Sequence, residues 1–372
     1  MSTFAYSHVT GADWNVACTA IAAALAAQSA QGDLAFVYAD HRFAGDADRI
    51  IDRLRSATGI AHWIGTVGMG ICSTGLEVYD EPSIAVMRTD LPAEAFRVLT
   101  PMVESVDEVM DALASWLDVH PATLAVVHGD PGNGRVPGLI EALADRLPGG
   151  FLVGGLTSSE AMQVQFADRA VGGGLSGVLI DAGGRIATGL SQGCSLIGEK
   201  RRITDCRQNV IATLDGRPAL DVLKEDIGEV LARDLRRIGG YIFAALPVSG
   251  SDTGDYLVRN LIGIDPDQGL VAIGDMVTED SYLQFAKRDA QTARADLERM
   301  LDGIGRRLNG PPKGALYHTC LGRGRHLFGE QSEELRVIRE HLGDIPLVGF
   351  YANGEISHRR LYGYTGVLTV FS

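Results

Sequence analysis

The chain predicts an α/β fold of two packed domains, built from repeated strand-helix-strand-strand units with mixed, mainly parallel sheets. Three observations carry this expectation. A motif occurs twice: Leu124-Ala-Val-Val-His128 leads into a glycine-rich loop holding Asn133, Gly134 and Arg135, and Ala315-Leu-Tyr-His318 leads into Thr-Cys320-Leu-Gly-Arg323-Gly324-Arg325. Each copy reads as a short apolar strand, a loop and then a helical pattern. The flanks of both copies extend the likeness, and a third, weaker copy appears near the N-terminus.

Taken in order, Asp13 precedes an alanine-rich run, Ala17 to Ala27, whose polar interruptions make it a first helix and not a membrane span. Unit one follows: strand Leu34 to Tyr38, helix Asp46 to Ala57, strand His62 to Gly65, strand Ser83 to Met87. A helical stretch from Pro92 to Leu117, interrupted by Pro92 and Pro101, links it to unit two. Unit two has strand Leu124 to His128, helix Leu139 to Leu147, strand Phe151 to Gly155 and strand Leu175 to Ile180. The pattern then changes. Arg185 to Leu190, Asn209 to Leu214 and Tyr241 to Leu246 read as strands, Pro218 opens a helix, and Asp265-Pro-Asp-Gln268 turns a hairpin between Leu257 to Ile264 and Gly269 to Ile273. Ser281 to Arg307 reads as one long amphipathic helix. Unit three closes the chain: strand Ala315 to His318, helix Glu330 to Leu342, strand Pro346 to Phe350, strand Tyr364 to Val370. In each unit a crossover helix makes the first two strands parallel, and a shorter return makes the last one antiparallel or an edge. The division falls near residue 228, giving domains 1–228 and 229–372.

With 372 residues, 46% hydrophobic and 22% charged, the chain suits two or more globular cores. A net charge of -14 argues against nucleic-acid and anionic-membrane partners, and Lys200-Arg201-Arg202, the one short basic cluster, reads as a solvated turn. Without a signal-peptide pattern or a long apolar run, a cytoplasmic location is expected. Five cysteines with no C-x-x-C pair point away from disulfides and structural zinc, and no metal site is expected. Gly172-Gly-Gly-Leu-Ser-Gly177 fits a dinucleotide fingerprint on paper but runs into a strand where a helix is required, and no P-loop or H-E-x-x-H is present.

The candidate ligand residues lie at the strand ends. His128, Asn133, Gly134 and Arg135 in one loop, and His318, Cys320, Arg323, Gly324 and Arg325 in the other, offer backbone amides and guanidinium forks to a carboxylate or phosphate. Polar turns after the second strands add Thr157, Ser158, Glu160, Asn353 and Glu355, which suit an ammonium or hydroxyl. An amino-acid-like ligand fits both sets. Turn and capping chemistry accounts for the same residue types locally, and a histidine at a strand end is more often structural than a ligand.

Val153-Gly-Gly-Leu-Thr-Ser-Ser-Glu160, Gly172 to Val178, Gly189-Leu-Ser-Gln-Gly-Cys-Ser195 and Arg217-Pro-Ala-Leu220, with Cys320 to Gly324, Val348-Gly-Phe-Tyr-Ala-Asn-Gly-Glu355 and Tyr364-Thr-Gly, resemble the FIST family over about residues 30 to 370. That resemblance implies a sensory module for small molecules such as amino acids, some relatives being haem-containing nitric-oxide sensors, and it supplies no catalytic residues. The expected function is therefore a module that binds a small anionic or zwitterionic ligand in an interdomain cleft and signals through a separate protein such as a kinase or cyclic-nucleotide enzyme. No cofactor is expected in this reading. Two alternatives stand beside it: a haem sensor with His128, His318, His326 or His358 as axial ligand, and an enzyme with Cys320 as nucleophile, its pKa lowered by Arg323 and Arg325.

Overall fold

Successive side chains of a strand point to opposite faces, and where both faces are buried, as along Leu34–Asp40, that period of two decides which core each residue enters. The computed structural model describes residues 4–120, 124–147, 149–248 and 256–372. The chain forms two compact units, one of residues 1–191 and 296–372 and one of residues 192–295. The division expected near 228 thus lies inside the second unit, because the chain leaves the first unit and returns to it.

Three six-stranded sheets build the first unit. Each contains a parallel pair joined by a crossover helix. Leu34–Asp40 runs beside His62–Gly68 through the helix Ala47–Thr58. Leu124–Gly129 runs beside Phe151–Leu156 through Val136–Asp145, and Gly314–Cys320 beside Leu347–Ala352 through Glu333–Leu342. On its other flank the first strand of each pair takes an antiparallel partner: Ser83–Arg88, Leu175–Ile180 or Thr365–Phe371. Further pairings in these sheets are antiparallel. The expectation of mainly parallel sheets is corrected accordingly: only a helix-length crossover permits a parallel pair, and the shorter connections close antiparallel ones.

Short hairpins are handed from sheet to sheet. Ile71–Ser73, which follows the first parallel pair, lies against Leu347–Ala352. Gln165–Ala167, which follows the second, lies against His62–Gly68. Glu355–Ser357, which follows the third, lies against Phe151–Leu156. The exchange is cyclic, and it covers the free edge of each parallel pair.

Alternation sorts side chains into two kinds of core. Leu34, Phe36 and Tyr38 meet Leu124, Val126, Leu316, Val348 and Phe350 in one interior shared by the inner faces. Ala35, Val37, Ala125, Val127, Ala315 and Tyr317 face outward to the helices that cover each sheet. The first helix, Trp14–Ala26, starts where Asp13 caps it by accepting from the amides of Asn15 and Val16.

Pro92 to Leu117 is not a single helical stretch. Phe96–Met102 is an edge strand beside Leu175–Ile180, where Pro101 is tolerated because an edge position need not donate to the ladder, and the helices Asp107–Ala112 and Ala114–Leu117 follow.

The second unit is a seven-stranded sheet with the helix Ala219–Ile227 packed on one face through Leu220, Val222 and Leu223. Ser281 to Arg307 divides into the strand Tyr282–Arg288 and the helix Ala290–Arg307, since Leu283 and Phe285 alternate into that core and Asp289 ends the strand with its carboxylate on the Thr292 amide. The basic cluster at 200–202, expected in a solvated turn, belongs to a long strand, Cys194–Arg207, whose Cys194 pairs with Arg288. No helix among the described residues is long and apolar enough to cross a membrane.

Candidate functional site

The fifth residue of each first strand points into the shared interior, and there the three sheets bring Tyr38, His128 and His318 together. All three are fully buried. The Tyr38 hydroxyl lies 2.8 Å from His318 Nε2 and 3.3 Å from His128 Nε2, and its ring stacks on Phe350 at 5.3 Å. Burial pushes the His318 ring down to about 3 and His128 well below its ordinary value, so both are neutral. One phenol proton serves two imidazoles, so Tyr38 donates to one and accepts from the other, and the two rings hold opposite tautomers. Among the described residues, the Nδ1 atoms of both meet no hydrogen-bond partner.

Just beyond these rings the strand-end loops are filled by carboxylates of the chain itself. Asp40 accepts from the Arg42 amide and from its guanidinium at 2.7 and 2.8 Å. Asp130 accepts from the amides of Gly132 and Gly173, while Asn133 accepts from the Arg135 amide and donates to the carbonyls of Val103 and Gly173. In the third loop Glu334 accepts from the Gly324 amide, from Arg323 at 2.7 Å and from Tyr317 at 2.6 Å. The amides of Asn133, Arg135 and Gly324, expected to cradle an anion, are therefore already engaged.

Arg323 and Glu334 are both without solvent contact. Burial opposes the guanidinium charge, but the Glu334 carboxylate outweighs it and holds the arginine's pKa above its ordinary value. Arg323 also reaches Ser191 and lies 5.0 Å over the Phe328 ring. It fastens the loop to the core and is not free for a ligand, and the buried Gly324 behaves likewise.

Arg325, two residues on, faces outward. It lines a pocket of ≈ 420 Å³ with His41, Arg42, Met69, Tyr79, Asp80, Glu160, Leu321 and His326. Of the residues expected to bind ligand, this pocket gathers Glu160 and Arg325. It draws on positions 41–160 and 321–326 of the sequence, all within the first compact unit. Arg325 pairs with Asp80 at 2.7 and 3.1 Å, and its guanidinium lies 4.5 Å over the Tyr79 ring. Beneath it Tyr79 donates to Glu77, whose carboxyl is raised to about 7 by burial and by Glu334.

The remaining expected residues lie elsewhere. Asn133, Gly134 and Arg135 line a separate, shallower hollow of ≈ 450 Å³, where Arg135 pairs with Glu104 at 3.2 Å. Thr157 and Ser158 are buried ties: Thr157 bonds Thr66 at 2.7 Å, and Ser158 donates to the Tyr351 carbonyl and accepts from the Met69 amide. Asn353 is exposed in a turn whose amide donates to Leu156. Glu355 is fully buried, accepts from Thr365 at 2.8 and 3.1 Å, and is raised to about 8 by burial. Missed in the sequence were His41, Arg42, Tyr79, Asp80 and Glu334. Only Arg42 carried a signal, as a basic residue soon after the strand end at Asp40.

Two alternatives meet opposing geometry. Burial, and after it Glu355, pushes the Cys320 thiol up, which corrects the lowering expected from the nearby arginines and disfavours the thiolate a nucleophile needs. Histidines 128 and 318 do not fit haem, because both turn Nε2 to Tyr38 inside a packed interior, and His358 stacks on Phe151 at 5.2 Å. His326 stands on the pocket wall with its ring 6.1 Å from that of Tyr79.

Comparison with known proteins places the chain among relatives that match most of its length. An uncharacterized protein of Mycobacterium tuberculosis is 35% identical over 345 residues, which cover 87% of this chain and 88% of that relative. An uncharacterized protein of Mycobacterium bovis is 33% identical over 326 residues, covering 83% and 82%. The FIST N domain matches residues 33–217 and the FIST C domain residues 219–358, so that every residue of the Arg325 pocket falls within one or the other, and the chain belongs to the FIST family of sensory modules.

Proposed function

We propose that this protein senses a small anionic or zwitterionic ligand, amino-acid-like in its charges, in the pocket around Arg325. One observation carries the reading: a half-open hollow of ≈ 420 Å³ sets Arg325 and His326 near Glu160, with Tyr79 and Met69 as apolar wall. A guanidinium fork suits a carboxylate, and Glu160, exposed and lining the same hollow, suits an ammonium group. The loops that form the wall adjoin strands of all three sheets, so a bound ligand would bias how they sit together, and that change is what a separate signalling partner would read. Cytoplasmic action belongs to the same proposal.

A thermal-shift screen with amino acids and small carboxylates tests it. A ligand present at one hundred times its Kd adds about 2.7 kcal/mol to stability. The expected ligand stabilises wild type and Arg135→Ala alike and loses its effect on Arg325→Ala. Equal stabilisation of Arg325→Ala, or no ligand that stabilises wild type, rules the pocket out.

A further inference from the structure

The two arginines of the pocket are engaged in different ways. Arg42 spends its fork on Asp40, which is 1% exposed, and reaches the carbonyls of Tyr79 and Asp80 at 3.4 and 3.1 Å. It is a fixed clamp on the 79–80 turn. Arg325 holds a carboxylate that is 79% exposed, with its own side chain 28% exposed and braced against Tyr79. The two Asp80 oxygens meet the two terminal nitrogens of Arg325 in the side-by-side geometry of a bound carboxylate.

We propose that Asp80 is an internal stand-in for the ligand: its carboxylate occupies the place that the ligand's carboxylate takes on Arg325, and the incoming group displaces it. This rests on the pocket being the ligand site, and it narrows the ligand class to carboxylates over tetrahedral oxyanions. The exchange is cheap for the protein. An ion pair with one partner this exposed adds little to stability, and Asp80 released from Arg325 passes directly into water. The displaced acid then sits on a turn still clamped by Arg42, so the ligand and the turn compete for one guanidinium. Asp80 thereby sets the threshold concentration at which the site fills.

Calorimetric titration of the full chain with acetate, L-alanine, L-glutamate and inorganic phosphate, on wild type, Asp80→Asn and Arg325→Gln, tests this. The carboxylate that wild type binds should bind Asp80→Asn roughly two- to sixfold more tightly, the range that loss of such a competitor allows. It should not bind Arg325→Gln. Phenylglyoxal labelling of Arg325, followed by mass spectrometry, should also be faster in Asp80→Asn, a readout that needs no ligand. Equal affinity and equal labelling in wild type and Asp80→Asn, with binding lost in Arg325→Gln, overturn the stand-in and leave the pocket standing. Phosphate preferred over every carboxylate overturns the ligand class. No binding by any of the three proteins overturns the pocket and the stand-in together.

Discussion

At the scale of single residues, the first unit hides titratable groups of both kinds, and their pKa values set opposite slopes. His128 and His318 stay neutral when folded, His318 falling from 6.5 to about 3, so the unfolded chain takes up protons that the fold refuses. The stability this represents is complete above 6.5 and is lost as pH falls toward 3. Glu355 moves the other way, from 4.5 to about 8, as does Glu77 to about 7. Their contribution is complete below 4.5 and is lost as pH rises through those values. Stability in urea should therefore peak between about 4.5 and 6.5, and Glu355→Gln should flatten the decline on the alkaline side. An alkaline slope as steep in that variant as in wild type would exclude Glu355 as its source. Sequence alone could not sort these residues. Arg323 and Arg325 share one motif, yet one is locked on Glu334 in the core and the other stands in the pocket, because a short helical turn at Gly324–His326 sends neighbouring side chains different ways.

At the scale of elements, the parallel pairs depend on close approach. A Cβ added at Gly65, Gly154 or Gly349 would lie 1.7, 1.8 or 1.7 Å from the carbonyl oxygen of Val37, Val127 or Tyr317. At Gly154 the backbone also has φ +145°, which L side chains rarely adopt. Gly154→Ala should cost more than about 3 kcal/mol or prevent folding, read as loss of the cooperative urea transition; a wild-type midpoint would contradict the geometry. Fully buried strands such as Leu34–Asp40 and Leu175–Ile180 were legible in the sequence because burial on both faces writes nearly continuous apolar runs. Cys194–Arg207 was not, since six charged residues occupy its half-exposed length and mask the period. Tyr282–Arg288 was absorbed into the following helix because its few residues fit either period.

At the scale of the molecule, the repeated strand-helix-strand order could be read, but the exchange of hairpins could not. Ile71–Ser73, Gln165–Ala167 and Glu355–Ser357 are three residues each, too short for a pattern, and their partners are distant in the chain. The pocket was hidden for the same reason: Arg42, Asp80, Glu160 and Arg325 come from separate loops that only the assembled sheets bring to one hollow.

The hand-over of hairpins runs one way round, from the first segment to the third sheet, from the second to the first, and from the third to the second. A closed circuit of this kind has no beginning, and the ends of the chain respect that: Phe4 and Phe371 touch, their rings 5.4 Å apart. The position of the termini is then incidental to the architecture. A circular permutant that joins the old ends by a short glycine-serine linker and opens the chain at Val119, which is 71% exposed, keeps every strand pairing intact. It should melt within a few degrees of wild type, and a permutant without a cooperative transition would mean that the order of the segments along the chain matters after all.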